Sequence, residues 1–277
     1  MSSINCKGKL IDLTTSKVMG ILNITPDSFF DGGKFSSDAN ILKHTEKMLS
    51  EGATFIDVGG YSSRPNAQHI SEDEELKRVI PVVELLIKKF PEILISIDTF
   101  RSNVATKCVN IGACMINDIS AGNMDVKMFT TVAKLQVPYI IMHMQGTPQT
   151  MQKSPKHVDI VHEVIYYFSK KINELHALNV NDIIIDVGFG FGKTPEQNYE
   201  LLKNLSLLKN LEVPILTGIS RKSMLYKLLD ITPAMALNAT TVANTMALMN
   251  GTNILRVHDV KEAVEAIIIV NAIESKE

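Results

Sequence analysis

Residues 93–118 read ILISIDTFRSNVATKCVNIGACMIND, which is the pattern of one strand, one helix and a second strand. The apolar, β-branched run 93–97 predicts a buried strand, and residues 114–116 predict the next one. Gly112 stands where the intervening helix would stop. Strands that are apolar on both faces and alternate with helices are typical of a parallel sheet covered by helices.

The same pattern recurs along the 277 residues of the chain. Helical periodicity fills the intervals, and two helix starts carry capping patterns, Ser71 with Glu74 and Thr194 with Gln197. Eight strand candidates result, at 18–24, 55–58, 93–97, 114–116, 139–142, 183–185, 215–216 and 254–257.

Eight alternations predict an α/β fold, a (β/α)8 TIM barrel, because eight strands close such a barrel. An open, doubly wound sheet is the structural alternative. The segment before Val18, with Gly8 between Ile4 and Ile11, predicts a short N-terminal hairpin that plugs the bottom of the barrel. No repeat or linker marks a boundary, so we expect a single domain over 1–277.

Polar side chains collect where the predicted strands end. In a barrel these positions converge on one rim, where active sites are built. In chain order they are Asn23, Asp57, Asp98, Asn117 with Asp118, His143, Asp186, Ser220 with Arg221 and Lys222, and Arg256 with His258.

The charges at these ends predict a ligand with two chemical parts. Cations on the loops suit an anionic group such as phosphate, namely Arg64, Arg221, Lys222 and Arg256. Alternatively, one or two of them pair with rim aspartates or lie on the outer surface. The carboxylates would repel phosphate and indicate a second part rich in N–H donors, such as an amino-substituted heterocycle; they are Asp57, Asp98 and Asp186.

Composition excludes several classes of protein. The net charge is −2 and there is no Trp, which disfavours nucleic-acid binding. No apolar run approaches a membrane helix, and three cysteines without zinc spacing indicate reduced thiols, so we expect a cytoplasmic protein. The glycine-rich run 188–194 meets neither the P-loop spacing nor GxGxxG.

The ordered segments together resemble the dihydropteroate synthase family over almost the whole chain. The resemblance implies that 6-hydroxymethyl-7,8-dihydropterin diphosphate and p-aminobenzoate are joined, with release of pyrophosphate. The matching segments are 20–29, 31–33, 57–65, 96–99, 116–122, 142–143, 146–148, 186–194, 220–223 and 256–259.

The resemblance also implies site residues and partners. Mg²⁺ would be held by Asn23, the catalytic residues would be Asp98, Lys222, Arg256 and His258, and the chain would form a homodimer. The pterin residues would be Asp98, Asn117, Met142, Asp186 and Lys222. The diphosphate residues would be Asn23, Ser63, Arg64, Arg256 and His258. The p-aminobenzoate residues would be Ser63, Pro65, Phe191, Lys222 and Ser223, in a pocket where sulfonamides would compete.

Four positions depart from the family pattern: Phe30, Tyr61, Ser63 and Val187. Two alternatives share the pterin pocket, a pterin-dependent methyltransferase and a pterin-binding or dimerisation module without catalysis. The Ser-Arg-Lys and Arg-Val-His clusters favour the synthase. Residues 233–250 predict a helix whose apolar positions, Met235, Val242, Met246 and Met249, form either a core stripe or part of a dimer interface.

Overall fold

The computed structural model describes residues 3–24, 34–62, 69–146 and 159–274. Eight parallel strands close into a barrel. The strands are β3 (Lys17–Asn23), β4 (Phe55–Gly59), β5 (Ile95–Asp98), β6 (Met115–Asp118), β7 (Tyr139–Met142), β8 (Ile183–Asp186), β9 (Ile215–Thr217) and β10 (Ile254–Val257). Around the barrel they pair in the order β10-β3-β4-β5-β6-β7-β8-β9. The predicted barrel is therefore confirmed, and the open sheet is excluded.

Helices lie between successive strands and cover the outside of the barrel. They are α1 (Lys34–Ser50), α2 (Glu72–Lys89), α3 (Ser102–Ile111), α4 (Met128–Leu135), α5 (Ile160–His176), α6 (Pro195–Lys203), α7 (Ser223–Tyr226), α8 (Leu237–Met249) and α9 (Val260–Glu274). Two 3₁₀ helices, Leu205–Leu211 and Pro233–Met235, complete the described elements. At α6 the capping box of Thr194 and Gln197 is complete, and at α2 Ser71 accepts the backbone N–H of Glu74.

The N-terminal hairpin is present and plugs the barrel as expected. Its strands, β1 (Ser3–Cys6) and β2 (Lys9–Asp12), pair antiparallel through a turn in which Gly8 has a φ of +86°. Ile4, Cys6 and Leu13 are buried and pack against the lowest inward-facing side chains of the barrel strands. The N-terminal end of the barrel is thus closed by apolar packing, which leaves the opposite rim for chemistry.

The helix predicted at 233–250 is split into a 3₁₀ turn and α8, and one interpretation of its apolar positions is wrong. Met235, Val242, Met246 and Met249 are all exposed, so they do not form a core stripe. Burial of α8 instead uses Thr240, Ala243, Asn244, Ala247 and Leu248. None of the helices that the structure describes is long and apolar enough to cross a membrane.

Candidate active site

A layer of polar side chains crosses the barrel directly above its apolar floor. Phe55, Met115, Ile184 and Ile254 belong to that floor and are fully buried. Side chains two residues further along a strand point the same way, and alternate strands of a barrel contribute to one layer. The layer above therefore consists of one residue each from β4, β6, β8 and β10: Asp57, Asn117, Asp186 and Arg256. We call these four residues the polar layer.

Hydrogen bonds join three members of the polar layer. Arg256 donates from Nε to Asp57 Oδ2 over 2.6 Å, and Asn117 donates from Nδ2 to the same oxygen over 3.0 Å. Arg256 also donates from Nη2 to Asp98 Oδ2 over 2.7 Å. One guanidinium therefore bridges two carboxylates that lie on neighbouring strands, β4 and β5.

Two glycines bring the remaining rim residues close together. A Cβ at Gly218 would lie 3.7 Å from Asp186 Oδ2 and 3.9 Å from Arg256 Cβ. The side chains of Asp186 and Arg256 therefore lie on either side of a space about as wide as one methyl group. At Gly59 a Cβ would lie 3.6 Å from both Asn23 Oδ1 and Asp98 Oδ2. Asp98, Asp186 and Arg256 therefore lie around one mouth, as expected.

Lys193 shapes the loop after β8 without facing a ligand. Its buried ammonium donates to the carbonyl oxygens of His143, Gly188 and Phe191, each over 3.0 Å. Gly188 has a φ of +69°, and a Cβ there would overlap the His143 carbonyl oxygen. Lys193 therefore stabilises the loop. This agrees with the sequence of residues 188–194, which does not have the spacing of a phosphate-binding P-loop.

The braced loop in turn places Lys222 and Phe191. The Lys222 ammonium donates to the carbonyl oxygen of Phe189 and lies 4.7 Å from the centroid of the Phe191 ring. Asp186 accepts the backbone N–H of Gly188 on Oδ1 over 2.8 Å. A cation, an aromatic ring and a carboxylate are thus grouped on one side of the mouth.

Burial moves the pKa values of several of these groups toward neutral pH. Desolvation raises the pKa of Asp98 to about 7, opposed by Arg256 and reinforced by Asp57. Desolvation lowers the pKa of Lys222 to about 8 against the attraction of Asp186, and it lowers the pKa of Lys193 to about 7. The pKa of Asp186 is raised, again mainly by desolvation.

An apolar cluster and a histidine complete the described part of the rim. Met142 is buried among Tyr61, Phe100, Ile119 and Met144, with Phe191 at the edge. His258 is exposed, and its Nδ1 lies 3.0 Å from the Ser220 hydroxyl, which also accepts the His258 backbone N–H. The imidazole Nε2 therefore points away from Ser220.

Some residues that the sequence placed at the rim have other partners. Arg221 forms a two-bond ion pair with Asp259, at 2.9 Å and 2.7 Å. Asp118 accepts from Ser120, Gly122 and Tyr139 and thereby holds its own turn. Neither is presented to a ligand. The predictions for Ser63, Arg64, Pro65 and Phe30 lie outside the described residues.

Sequence reasoning missed one buried ion pair beside the site. Arg101 pairs with the fully buried Glu75, donates to Ile70 O over 2.5 Å, and lies over the rings of Tyr61 and Phe100. Glu75 has the same helical spacing as the buried Val79, Val82 and Leu86 of α2. The position of Glu75 on an apolar helix face could have indicated this ion pair from the sequence, because a buried charge requires a partner.

The described donors fit Mg²⁺ at Asn23. Its amide oxygen is a hard ligand that faces the rim beside Asp98 across Gly59. Among the described residues, no three His, Cys, Asp or Glu side chains cluster as a metal site. Such an ion would complete its shell with phosphate oxygens and water, as Mg²⁺ commonly does.

Comparison with known proteins gives a consistent result. Residues 19–258 match the family model described as "Pterin binding enzyme". The dihydropteroate synthase of Escherichia coli K12 is 43% identical over 268 residues, covering 96% of this chain and 94% of that protein. The structure of Yersinia pestis dihydropteroate synthase with a sulfonamide drug has a TM-score of 0.93 at 43% identity, covering 99% and 100% of the two chains. That of the Xanthomonas albilineans enzyme with 4-aminobenzoic acid has a TM-score of 0.92 at 36% identity, covering 100% and 99%.

Proposed function

Because the chain belongs to the dihydropteroate synthase family, we propose which of its residues perform the condensation of 6-hydroxymethyl-7,8-dihydropterin diphosphate with p-aminobenzoate. The protein is a transferase of folate synthesis that forms 7,8-dihydropteroate and pyrophosphate. The observation that carries the residue assignment is the meeting of carboxylates and cations at one rim, with Asp186 and Arg256 on either side of Gly218.

The pterin binds over the polar layer. Asp186 accepts N–H bonds from the 2-amino-pyrimidinone edge, since a carboxylate can take two parallel donors. Asp98 and Asn117 contact the other polar edge, Lys222 contacts the carbonyl side, and Met142 packs on a ring face. The grouping of Lys222 with Asp186 and the burial of Met142 support this arrangement.

The diphosphate binds on the Arg256 side of the mouth. A guanidinium has five N–H donors, and Asp57 and Asp98 take one each, so donors remain for phosphate oxygens. His258 and Asn23 flank this position, and we assign Ser63 and Arg64 to the same group. Mg²⁺ bound at Asn23 would supply positive charge to the departing oxygens.

In the reaction, the bond between the pterin CH₂ and the bridging oxygen breaks, and its electron pair leaves with pyrophosphate. The aniline nitrogen of p-aminobenzoate forms the new C–N bond and loses one proton, which the released pyrophosphate accepts. Arg256 stabilises the leaving charge, and Asp98 stabilises the positive charge that builds on the dihydropterin. We place p-aminobenzoate near Phe191, Lys222 and Ser223, with Ser63 and Pro65.

Two properties of the whole protein accompany this proposal. We propose a homodimer through the exposed apolar side chains of α8 and α9, two helices that pack together: Val242, Met246, Met249, Ile268, Ile269 and Ile273. We also propose one catalytic domain over 1–277 and a cytoplasmic location. The three buried, unpaired cysteines suit a reducing compartment.

Turnover tests the proposed function. Pyrophosphate release should require pterin diphosphate, p-aminobenzoate and Mg²⁺ together, and the product should be 7,8-dihydropteroate. Binding of both substrates without release would support a binding module instead. Methyl transfer from a methylated pterin would support the methyltransferase alternative.

A further inference from the structure

We propose that Asp57 is a positioning residue that orients Asn117 and Arg256 together, and thereby links the pterin end of the site to its diphosphate end. The inference rests on the proposed function, in which Asp57 contacts neither substrate.

The contacts of Asp57 reach two strands away in both directions. From β4, its Oδ2 accepts Asn117 Nδ2 of β6 at 3.0 Å and Arg256 Nε of β10 at 2.6 Å. Bonds to strands that are not neighbours in the sheet must pass through the barrel interior. Asp57 is fully buried there, so no solvent competes for these donors.

These bonds decide which atoms the two partners present. With Nδ2 of Asn117 committed to Asp57, the amide oxygen is the group that Asn117 offers to an N–H donor of the pterin. With Nε of Arg256 held, the plane of the guanidinium is fixed, and the remaining donors form a rigid fork. A single carboxylate oxygen therefore sets the orientation of one residue from each half of the site.

The bonding of Asp57 differs from that of a structural aspartate in the same barrel. Asp118, at the end of β6, has both oxygens bonded by donors of its own turn and of Tyr139. Asp57 concentrates two donors on Oδ2, while its buried Oδ1 has no hydrogen-bond partner within the described residues. Asp57 therefore forms hydrogen bonds to two residues that we assign to ligands, while one of its own oxygens accepts none from the described residues.

Binding of the two half-ligands tests this role. In Asp57→Asn, affinity for 6-hydroxymethylpterin and for pyrophosphate with Mg²⁺ should each fall about 10-fold by calorimetry, because both partners lose an anionic acceptor. Asn117→Ala should weaken only the pterin, and Arg256→Ala mainly pyrophosphate. Glu75→Gln is the matched control, since Glu75 is equally buried and paired with an arginine, and both affinities should stay near those of the wild type.

Double variants separate positioning from general destabilisation. In an Asn117→Ala background, Asp57→Asn should cause no further loss of pterin affinity, and in an Arg256→Ala background no further loss of pyrophosphate affinity. Additive losses in both backgrounds would overturn the proposal. If wild-type turnover is present while Asp57→Asn binds both ligands normally, this inference fails and the proposed function stands.

A measurement on the wild-type protein keeps the inference testable should the variants fail to fold. The Asn117 side-chain amide and the Arg256 Nε–H should exchange slowly with solvent in nuclear magnetic resonance spectra, and should stay protected when 6-hydroxymethylpterin and pyrophosphate are added. Fast exchange of either group, before or after addition, would show that Asp57 does not hold it.

Discussion

Arg256 Nη2 lies 2.7 Å from Asp98 Oδ2, which pairs a residue assigned to the diphosphate with one assigned to the pterin. Each residue thus satisfies the charge of the other. A substrate that carries both a pterin and a diphosphate contacts both members of this pair at once. Binding of the complete substrate should therefore exceed what either half achieves alone.

Arg256→Ala should lower kcat/KM for pterin diphosphate by roughly 10- to 100-fold, the effect of losing about 1.5–3 kcal/mol of charged hydrogen bonding. Steady-state kinetics with varied pterin diphosphate measures this. Lys261→Ala is a suitable control, since it removes a cation from an exposed pair with Glu265. An unchanged kcat/KM in Arg256→Ala would remove this residue from the site.

Asp186→Asn should weaken pterin binding by on the order of 10-fold while leaving pyrophosphate binding intact. The physical reason is that an amide accepts only one of two parallel N–H donors and turns a donor of its own toward the ring. Calorimetry with each half-ligand measures the two affinities. Equal loss of both would indicate that Asp186 serves the structure of the rim.

The pH profile of kcat/KM should be bell-shaped, with its maximum between about 7 and 8. Below it, Asp98 with a pKa of about 7 gains a proton and loses its charge, so activity rises with pH through that value. Above it, Lys222 with a pKa of about 8 loses its proton and activity falls. In Lys222→Arg the alkaline limb should disappear, because a guanidinium stays charged. Survival of that limb would assign it to another group.

Arg101→Ala should lower the free energy of unfolding by about 3–5 kcal/mol, because it strands the buried Glu75 carboxylate without its cation. Urea unfolding followed by circular dichroism measures the change. Adding Glu75→Leu should recover part of the loss, since the stranded charge is then removed as well. A loss below about 1 kcal/mol would mean that the pair behaves like an exposed one.

Met249→Lys combined with Ile273→Lys should convert a dimer into monomers, because each change puts a charge into the proposed apolar interface. Sedimentation velocity measures the mass. Val126→Lys is the control, since Val126 is 89% exposed and lies outside α8 and α9. A wild-type protein that remains monomeric at micromolar concentration would contradict the homodimer.

The barrel could be predicted from the sequence because its signal is local. Each strand is a mostly apolar segment of three to seven residues, each interval has helical spacing, and caps such as Thr194 with Gln197 fix the helix starts. The convergence of strand ends followed from topology alone, since parallel strands place their carboxyl ends at one rim. The family resemblance then assigned chemistry to those ends.

What the tertiary structure decided is which charges pair. Charge and position at a strand end did not distinguish Arg221 from Arg256, yet one pairs with Asp259 at the edge and the other lies between Asp57 and Asp98. Partners 38, 158 and 199 residues apart leave no local pattern, because their distance depends on how the closed barrel aligns its strands. The sequence by itself determined the elements and the rim, and barrel closure decided the polar layer and the partner of each charge within it.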